Sequence, residues 1–373
     1  LNPVVVTAIP ARTRLNVQSA FIDANGVVEV SLNESVGALL DEQRSRMAGQ
    51  ITWTLSQLSG VVGVRFLMNG APYAIPEAED GIVRSEAFAW LDPAPAQRQV
   101  RVFGATPHGI VRVVDEEAGV TVEPVPGPLG SLAGTRAMDV SATADQVALV
   151  GSERTTMRMG PLSEGMPPVV FTGERVLRPQ FVQAPEPELW TFANNPGAPG
   201  QSAHRILGTR TDTVATEAFT GSDVAAFRIS PDGIRLAAVR MTDEGRLEVG
   251  VARINRTNPE IVVEAWREIP MAEPPDPRPD QIVDVGWLTP TSLIVLAAND
   301  TRQAVRPFRL DINGAAVNEI GQPDNWQSYE LATAPRLSGG RALVVGYNGV
   351  WRFEDEYRWP LLVRGLETVA YAS

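Results

Sequence analysis

Two histidines, His108 and His204, are the only imidazoles in the 373-residue sequence, and cysteine is absent. No thiolate can serve as nucleophile or metal ligand, so a zinc site would need carboxylates beside a histidine. Neither histidine has such a partner at ligand spacing. His108 follows Pro107 in a turn, His204 comes in or after the loop NNPGAPGQSAH, and both read as surface residues in structural roles. A Ser-His-Asp hydrolase needs serine at the centre of a G-x-S-x-G elbow, and GSLAG at 130–134 puts it in the wrong place. Paired carboxylates are the chemistry of glycoside hydrolysis. Three runs offer them: Asp115-Glu116-Glu117, Asp243-Glu244 and Glu354-Asp355-Glu356. All three fall in turns between strand-like runs, where a charge run is usually a solvated tip. Neither a phosphate-cradling glycine loop nor calcium-loop spacing occurs. The expected sets of catalytic residues, metal ligands and cofactors are therefore empty. Recognition chemistry remains. Trp351, Arg352, Tyr357 and Trp359 cluster near the end of the chain, and aromatics beside arginine are common at protein interfaces. Filling gaps between packed sheets is the competing role, and the weightier one.

The net charge is −12, from 44 acidic and 32 basic residues, and every basic residue is arginine. That balance argues against nucleic acid, whose phosphates need a basic stripe, and against docking on anionic lipid. No apolar run approaches the roughly 18 residues that span a bilayer. The first residues have no basic start and apolar core of a signal peptide, so a trimmed form is expected. The length favours two or three domains.

Residues 1–85 read as a small α+β unit. Val17, Ser19 and Phe21 alternate before DANG, and Val28 and Val30 continue after it, which is a hairpin pattern. Asp41 is placed to cap a helix with Glu42 in its first turn. Met47, Ile51, Leu55 and Leu58 then form one apolar stripe ended by Gly60. Val62, Val64, Phe66 and Met68 alternate as a half-buried strand stopped by Asn69-Gly70. The opening PVVVTAIP reads as the end of a larger unit whose earlier elements precede this sequence. The progression from TAIPARTRLNVQSAFIDANGVVEVSLNES to QITWTLSQLSGVVGVRFLMNGAP resembles the second half of a GerMN domain. That resemblance implies a cell-envelope module without catalytic activity, incomplete at its N-terminus.

Beyond a connector at 86–97, residues 98–373 change character: glycine and proline punctuate short β-rich runs. One hairpin pattern recurs, with turn centres near Asp145, Glu186, Asp232, Thr291 and Gly339, at intervals of 41 to 59 residues. About 40–50 residues is the period of a four-stranded propeller blade. The longest interval holds AEPPDPRPD, which reads as a loop insertion within a blade. A further copy joins VFGATPHGIVRVV to VVGYNGVWRF, making six blades, with five or seven left open. Free sheet edges invite aggregation, so the ring must close. Thr368–Tyr371 is the expected innermost strand of the first blade, whose other strands lie in 98–127. EAFAWLDPAP is the alternative for that strand.

A GerMN-like half-domain followed by a six-bladed propeller resembles, over essentially the whole chain, the LpqB family of actinobacterial lipoproteins. The residues of the first blade, GIVRVV…VEPVPGPLGS, fit as well. The resemblance implies a non-enzymatic protein on the outer face of the cytoplasmic membrane. Its anchor would be a lipidated cysteine outside this sequence. The implied partner is the extracellular sensor region of the MtrB histidine kinase, with an effect on cell-wall homeostasis and division. The alternative class is a binding module or hydrolase acting on a cell-wall glycan or peptide at the propeller mouth, and a third is a purely structural envelope protein.

Overall fold

The computed structural model describes residues 7–16, 22–58, 60–91, 101–116, 119–163, 165–182, 187–195, 200–256, 260–271, 279, 281–298, 304–321, 327–335, 341–355 and 358–372. Contacts divide the chain into two units, Leu1–Pro95 and Ala96–Ser373.

In the first unit the DANG turn is held by its aspartate. Asp23 Oδ1 accepts from the amides of Asn25 and Val27 at 2.8 and 2.9 Å. Bridges Leu15–Leu32 and Ile22–Val28 mark the hairpin partner, while Val17, Ser19 and Phe21 lie outside the described residues. β1 (Val27–Leu32) pairs in parallel with β2 (Gly63–Met68), and β3 (Ala71–Pro72) pairs antiparallel with β2. A parallel pair needs a crossover, and the helix α1 (Asp41–Leu55) supplies it. Asp41 is the first helical residue rather than the cap. Leu40 occupies the cap position, and its amide donates to the Gln43 side chain at 3.1 Å. The apolar stripe stops at Leu55 because the helix stops there, leaving Leu58 exposed.

Residues Ser85–Leu91, most of them expected in a connector, belong instead to this first unit. Phe88 is wholly buried with Met47, Val64 and Val83, and its carbonyl accepts from Trp53 Nε1 at 3.1 Å. Burial of the ring decides the matter, since a connector would leave it in water. Phe88→Ala should destabilise this unit by about 3–5 kcal/mol. The measurement is hydrogen exchange of the α1 amides, which should accelerate strongly; unchanged protection would refute the assignment.

Among the described residues, six four-stranded antiparallel sheets form the second unit. From the axis outwards, blade 1 is β27 (Thr368–Tyr371), β4 (Val102–Thr106), β5 (Gly109–Glu116) and β6 (Gly119–Pro124). Blade 2 is β7 (Thr135–Val140), β8 (Gln146–Gly151), β9 (Thr156–Pro161) and β10 (Val169–Thr172). Blade 3 is β11 (Gln180–Val182), β12 (Glu188–Asn194), β13 (Gln201–Leu207) and β14 (Arg210–Val214). Blade 4 is β15 (Ser222–Ile229), β16 (Arg235–Thr242), β17 (Leu247–Asn255) and β18 (Val262–Glu268). Blade 5 is β19 (Gln281–Thr289), β20 (Ser292–Ala298), β21 (Arg306–Asp311) and β22 (Val317–Glu319). Blade 6 is β23 (Ser328–Ala334), β24 (Arg341–Gly346), β25 (Gly349–Arg352) and β26 (Leu361–Val363). The first strands touch one another in order around the ring, which places them at the axis.

The tail closes the ring as the sequence requires. Thr368 lies opposite Ala105 and Tyr371 opposite Val102, and a parallel bridge from Ala372 to Val140 links blade 1 to blade 2. Each recurring hairpin is the inner pair of a blade. Ser141 and Ser230 build the same turn: each Oγ accepts the amide five residues on, at 3.0 Å. Glu186 and Gly339 lie outside the described residues. The paired copies around Val102 and Val344 are the β4–β5 and β24–β25 turns. Their glycines are steric necessities, because a Cβ on Gly109 would meet the Gly130 carbonyl at 2.2 Å and one on Gly349 the Val363 carbonyl at 2.8 Å. The proline-rich stretch 272–280 falls between β18 and β19, so it joins blade 4 to blade 5 instead of interrupting a blade. Proline cannot donate to a ladder, and a crossing between sheets needs no ladder. Apart from Pro279, this stretch lies outside the described residues.

Candidate functional site

The inner strands share a polar position that sits one residue before an apolar one: Asp139, Gln180, Arg228, Asp284, Glu330 and Thr368. Four of these side chains reach the backbone of the next blade. Asp139 Oδ2 accepts from the Phe181 amide at 2.7 Å, and the Gln180 amide oxygen from Ile229 at 2.6 Å. Asp284 Oδ2 accepts from Leu331 at 2.8 Å, and Glu330 Oε1 from Val369 at 3.1 Å. Blades 4 and 5 are joined the other way round, with Trp287 Nε1 donating to the Arg228 carbonyl at 2.9 Å. Side chains thus satisfy amides that no neighbouring sheet can pair, because blades pack face to face.

Arg178, just before β11, crosses this ring. It donates to the Met138 carbonyl at 3.1 Å on blade 2, to the Leu331 carbonyl at 2.8 Å and Glu330 Oε1 at 2.9 Å on blade 6, and to the Val369 carbonyl on blade 1. Arg228 reaches Leu331 and Asp284 from blade 4 at 3.3 and 3.4 Å. Cavities lie on both sides, and Arg178 and Arg228 line both of them, so the two guanidiniums form the partition. One mouth has the inner-hairpin turns, with Ser230, Trp287 and Thr333. The other has the strand starts, with Arg136, Val283 and Tyr329. Removal from water dominates the electrostatics. Burial pulls the Arg228 guanidinium below its usual range, against the carboxylate of Asp284. Burial pushes the Asp139 carboxyl up to about 6, opposed by Arg178 and by the Phe181 amide.

The Asp139 shift has a testable sign. The folded chain holds a proton that the unfolded chain releases, so this group stabilises the fold increasingly as pH falls through about 6 towards 4. Asp139→Asn removes the titration. Wild type should gain about 1 kcal/mol on the variant between about pH 7 and about pH 5, read from urea midpoints. Equal slopes would refute the assignment.

The acidic runs are placed away from this axis. Asp115 and Glu116 end β5, the third strand of blade 1, and Glu354 and Asp355 follow β25, the third strand of blade 6. Arg352 ties the two runs together, pairing with Asp115 and with Glu354 at 3.6 Å. Asp243 and Glu244 occupy the exposed β16–β17 turn. Glu117, Glu356 and Tyr357 lie outside the described residues. Trp351 and Trp359 are only 8% and 6% exposed and join the core beside blade 5, with Trp359 Nε1 donating to the Ile320 carbonyl at 2.8 Å. They fill the gap between blades, which leaves Arg352 as the accessible member of that described cluster. His108 is exposed in its two-residue turn, but His204 is buried on β13 against Phe171, ring centroids 4.6 Å apart. Burial holds the His204 imidazole below its usual pKa. The expectation of a surface role fails there because β13 packs towards blade 2, where alternation along a strand buried on both faces gives no polarity to read.

The partition residues escaped the sequence reading. The signal lay in the repeats: the first run of each hairpin carries one polar residue at a fixed rank, as in MDVS, PQFV, FRIS and YELA.

Ring, partition and tail closure define a six-bladed β-propeller that follows a small α+β domain. Residues 110–368 match the family described as the lipoprotein LpqB β-propeller domain, and residues 1–74 match the sporulation and spore germination domain. The chain belongs to the LpqB lipoprotein family. It is 28% identical to lipoprotein LpqB of Cutibacterium acnes, covering 100% of this chain and 64% of that protein. It is 26% identical to LpqB of Streptomyces coelicolor over 79% of this chain and 48% of that one. The chain therefore spans less than two thirds of the length of these relatives. The propeller fold also resembles a chain of the nidogen/laminin complex, at 10% identity and a TM-score of 0.50, over 74% of this chain and 99% of that one.

Proposed function

We propose that this chain is the scaffold portion of a lipoprotein held on the extracytoplasmic face of the membrane, where it binds the extracellular sensor region of an MtrB-like histidine kinase. It performs no bond-making, and it modulates two-component signalling in cell-wall homeostasis and division. The observation that carries this reading is the partition. Asp139, Asp284 and Glu330, the buried carboxylates nearest the axis, are committed to backbone amides and arginines of other blades. Groups tied in this way hold the loop-bearing rims stiff, and preorganised rims lower the ordering cost of binding a partner. Membership of a family named for lipoproteins supports the envelope location. Among the described residues no helix is long and apolar enough to cross a membrane.

A bound scaffold shifts a kinase only by binding its two signalling states unequally. Calorimetry with the purified sensor ectodomain should show saturable binding, and a sensor locked in one state should bind more tightly than one locked in the other. No heat at high micromolar concentration would overturn the reading.

A further inference from the structure

The mouth built from the strand starts differs in charge from the rest of the molecule. Its open cavity is lined by Arg136, Arg154, Arg178 and Arg228 against two carboxylates among the described residues, Asp284 and Glu330. The chain as a whole carries a net charge of −12, so this is a local reversal of sign. Both carboxylates are engaged elsewhere. Glu330 Oε1 takes Arg178, the Thr368 hydroxyl and the Val369 amide, and Asp284 takes Leu331, Val285 and Arg228. Arg178 and Arg228 are satisfied within the partition. Arg136 and Arg154 have no carboxylate partner among the described residues.

Arg136 is held by an aromatic face, and Arg154 is exposed at the same mouth. Arg136 lies over the Tyr329 ring, 5.7 Å from its centroid, and Tyr329 packs 5.4 Å from Tyr347. The Tyr329 hydroxyl donates to the Glu367 carbonyl at 3.1 Å, which ties the platform to the closing tail. Arg154 comes from the β8–β9 turn with a positive φ of 52°. Partial desolvation, then the charge of Arg136, holds it below the usual arginine range, with the Glu330 carboxylate opposing them. Arg175 adds to the repulsion, and its own exposed partner Asp223 is 3.3 Å away. Like charges gathered in a concave site raise the free energy of the empty site, and an anion relieves it. A guanidinium fixed on an aromatic face presents its forked donors to a planar or tetrahedral oxyanion.

We propose that this mouth of the channel binds a dianionic group, a phosphate monoester or a dicarboxylate, gripped by Arg136 and Arg154. Two cations with no carboxylate in salt-bridge contact among the described residues set the charge of the ligand. The committed carboxylates below set its depth, because they repel any anion that approaches the partition.

The test is calorimetry of the full chain at constant ionic strength with two probes, inorganic phosphate and glutarate. Saturable binding of one molecule per chain is expected, and the tighter probe identifies the source chemistry. Arg136→Gln/Arg154→Gln should weaken binding more than about tenfold, since each lost bond to a charged group is worth about 1.5–3 kcal/mol. Arg112→Gln is the control, because Arg112 sits on β5 and pairs with Glu123 at 2.8 Å. It should leave the affinity unchanged. Circular dichroism of the double variant should match wild type, since no carboxylate loses its partner. Absence of saturable binding by both probes at low-millimolar concentration would overturn the proposal, as would an equal loss in Arg112→Gln.

Discussion

Deletion of residues 368–373 is expected to leave a propeller that does not close and chains that aggregate. Thr368, Val369 and Ala370 have no exposed surface, and Tyr371 and Ala372 are 3% exposed. The strand they form pairs with β4, bridges to Val140 of blade 2, and donates through the Thr368 hydroxyl and Val369 amide to Glu330 of blade 6. Three blades therefore lose contacts at once. Full burial of one large apolar side chain is worth about 1.5–3 kcal/mol, and each ladder hydrogen bond about 1 kcal/mol. Their sum is comparable with the roughly 5–15 kcal/mol that separates a folded domain from its unfolded chain. The exposed edge of β4 would then template pairing between molecules. Size-exclusion chromatography and near-ultraviolet circular dichroism give the readout, and a synthetic peptide of residues 365–373 should restore part of the signal. A deleted chain that runs as a monomer with an unchanged melting temperature would show that the closure is dispensable.

Arg178→Ala has the largest expected effect of any single substitution at the axis. It removes bonds to three blades and leaves the buried Glu330 carboxylate without its cation. Breaking a buried ion pair from one side costs about 3–5 kcal/mol, which lowers the melting temperature by roughly 10 °C in a domain of this size. Arg178→Lys should recover less than half, because a single ammonium cannot serve several carbonyls in a fixed fork. Adding Glu330→Gln to Arg178→Ala should reduce the penalty, because the stranded charge is then gone. A strictly additive double variant, or an unchanged melting temperature for Arg178→Ala, would refute the coupling. Rigidity is the functional side of the same network. The rims that would meet a kinase are held by bonds that run through the centre.

The sequence by itself determined the inner hairpins and the blade period, and it favoured six blades closed by the tail over the alternatives that the structure then removed. Those features are written in local chemistry. Period-two runs and a serine five residues before the amide it accepts each act within a few residues. Strands β1 and β2 of the first unit and the helix between them were legible for the same reason, although the helix cap and the end of the stripe moved by a turn or less; the short β3 was not read from the sequence.

Only the tertiary structure decided which polar groups meet at the axis, that Trp351, Trp359 and His204 are buried, and that Phe88 belongs to the first core. Arg178 and Glu330 are 152 residues apart in the chain, and their bond exists only because six sheets pack in a ring. A strand buried on both faces carries no alternation to say which neighbour a side chain meets. A charge at the axis reads in the sequence like any other polar residue in a β-run. Its partner is set by the angle between blades, which no local spacing encodes.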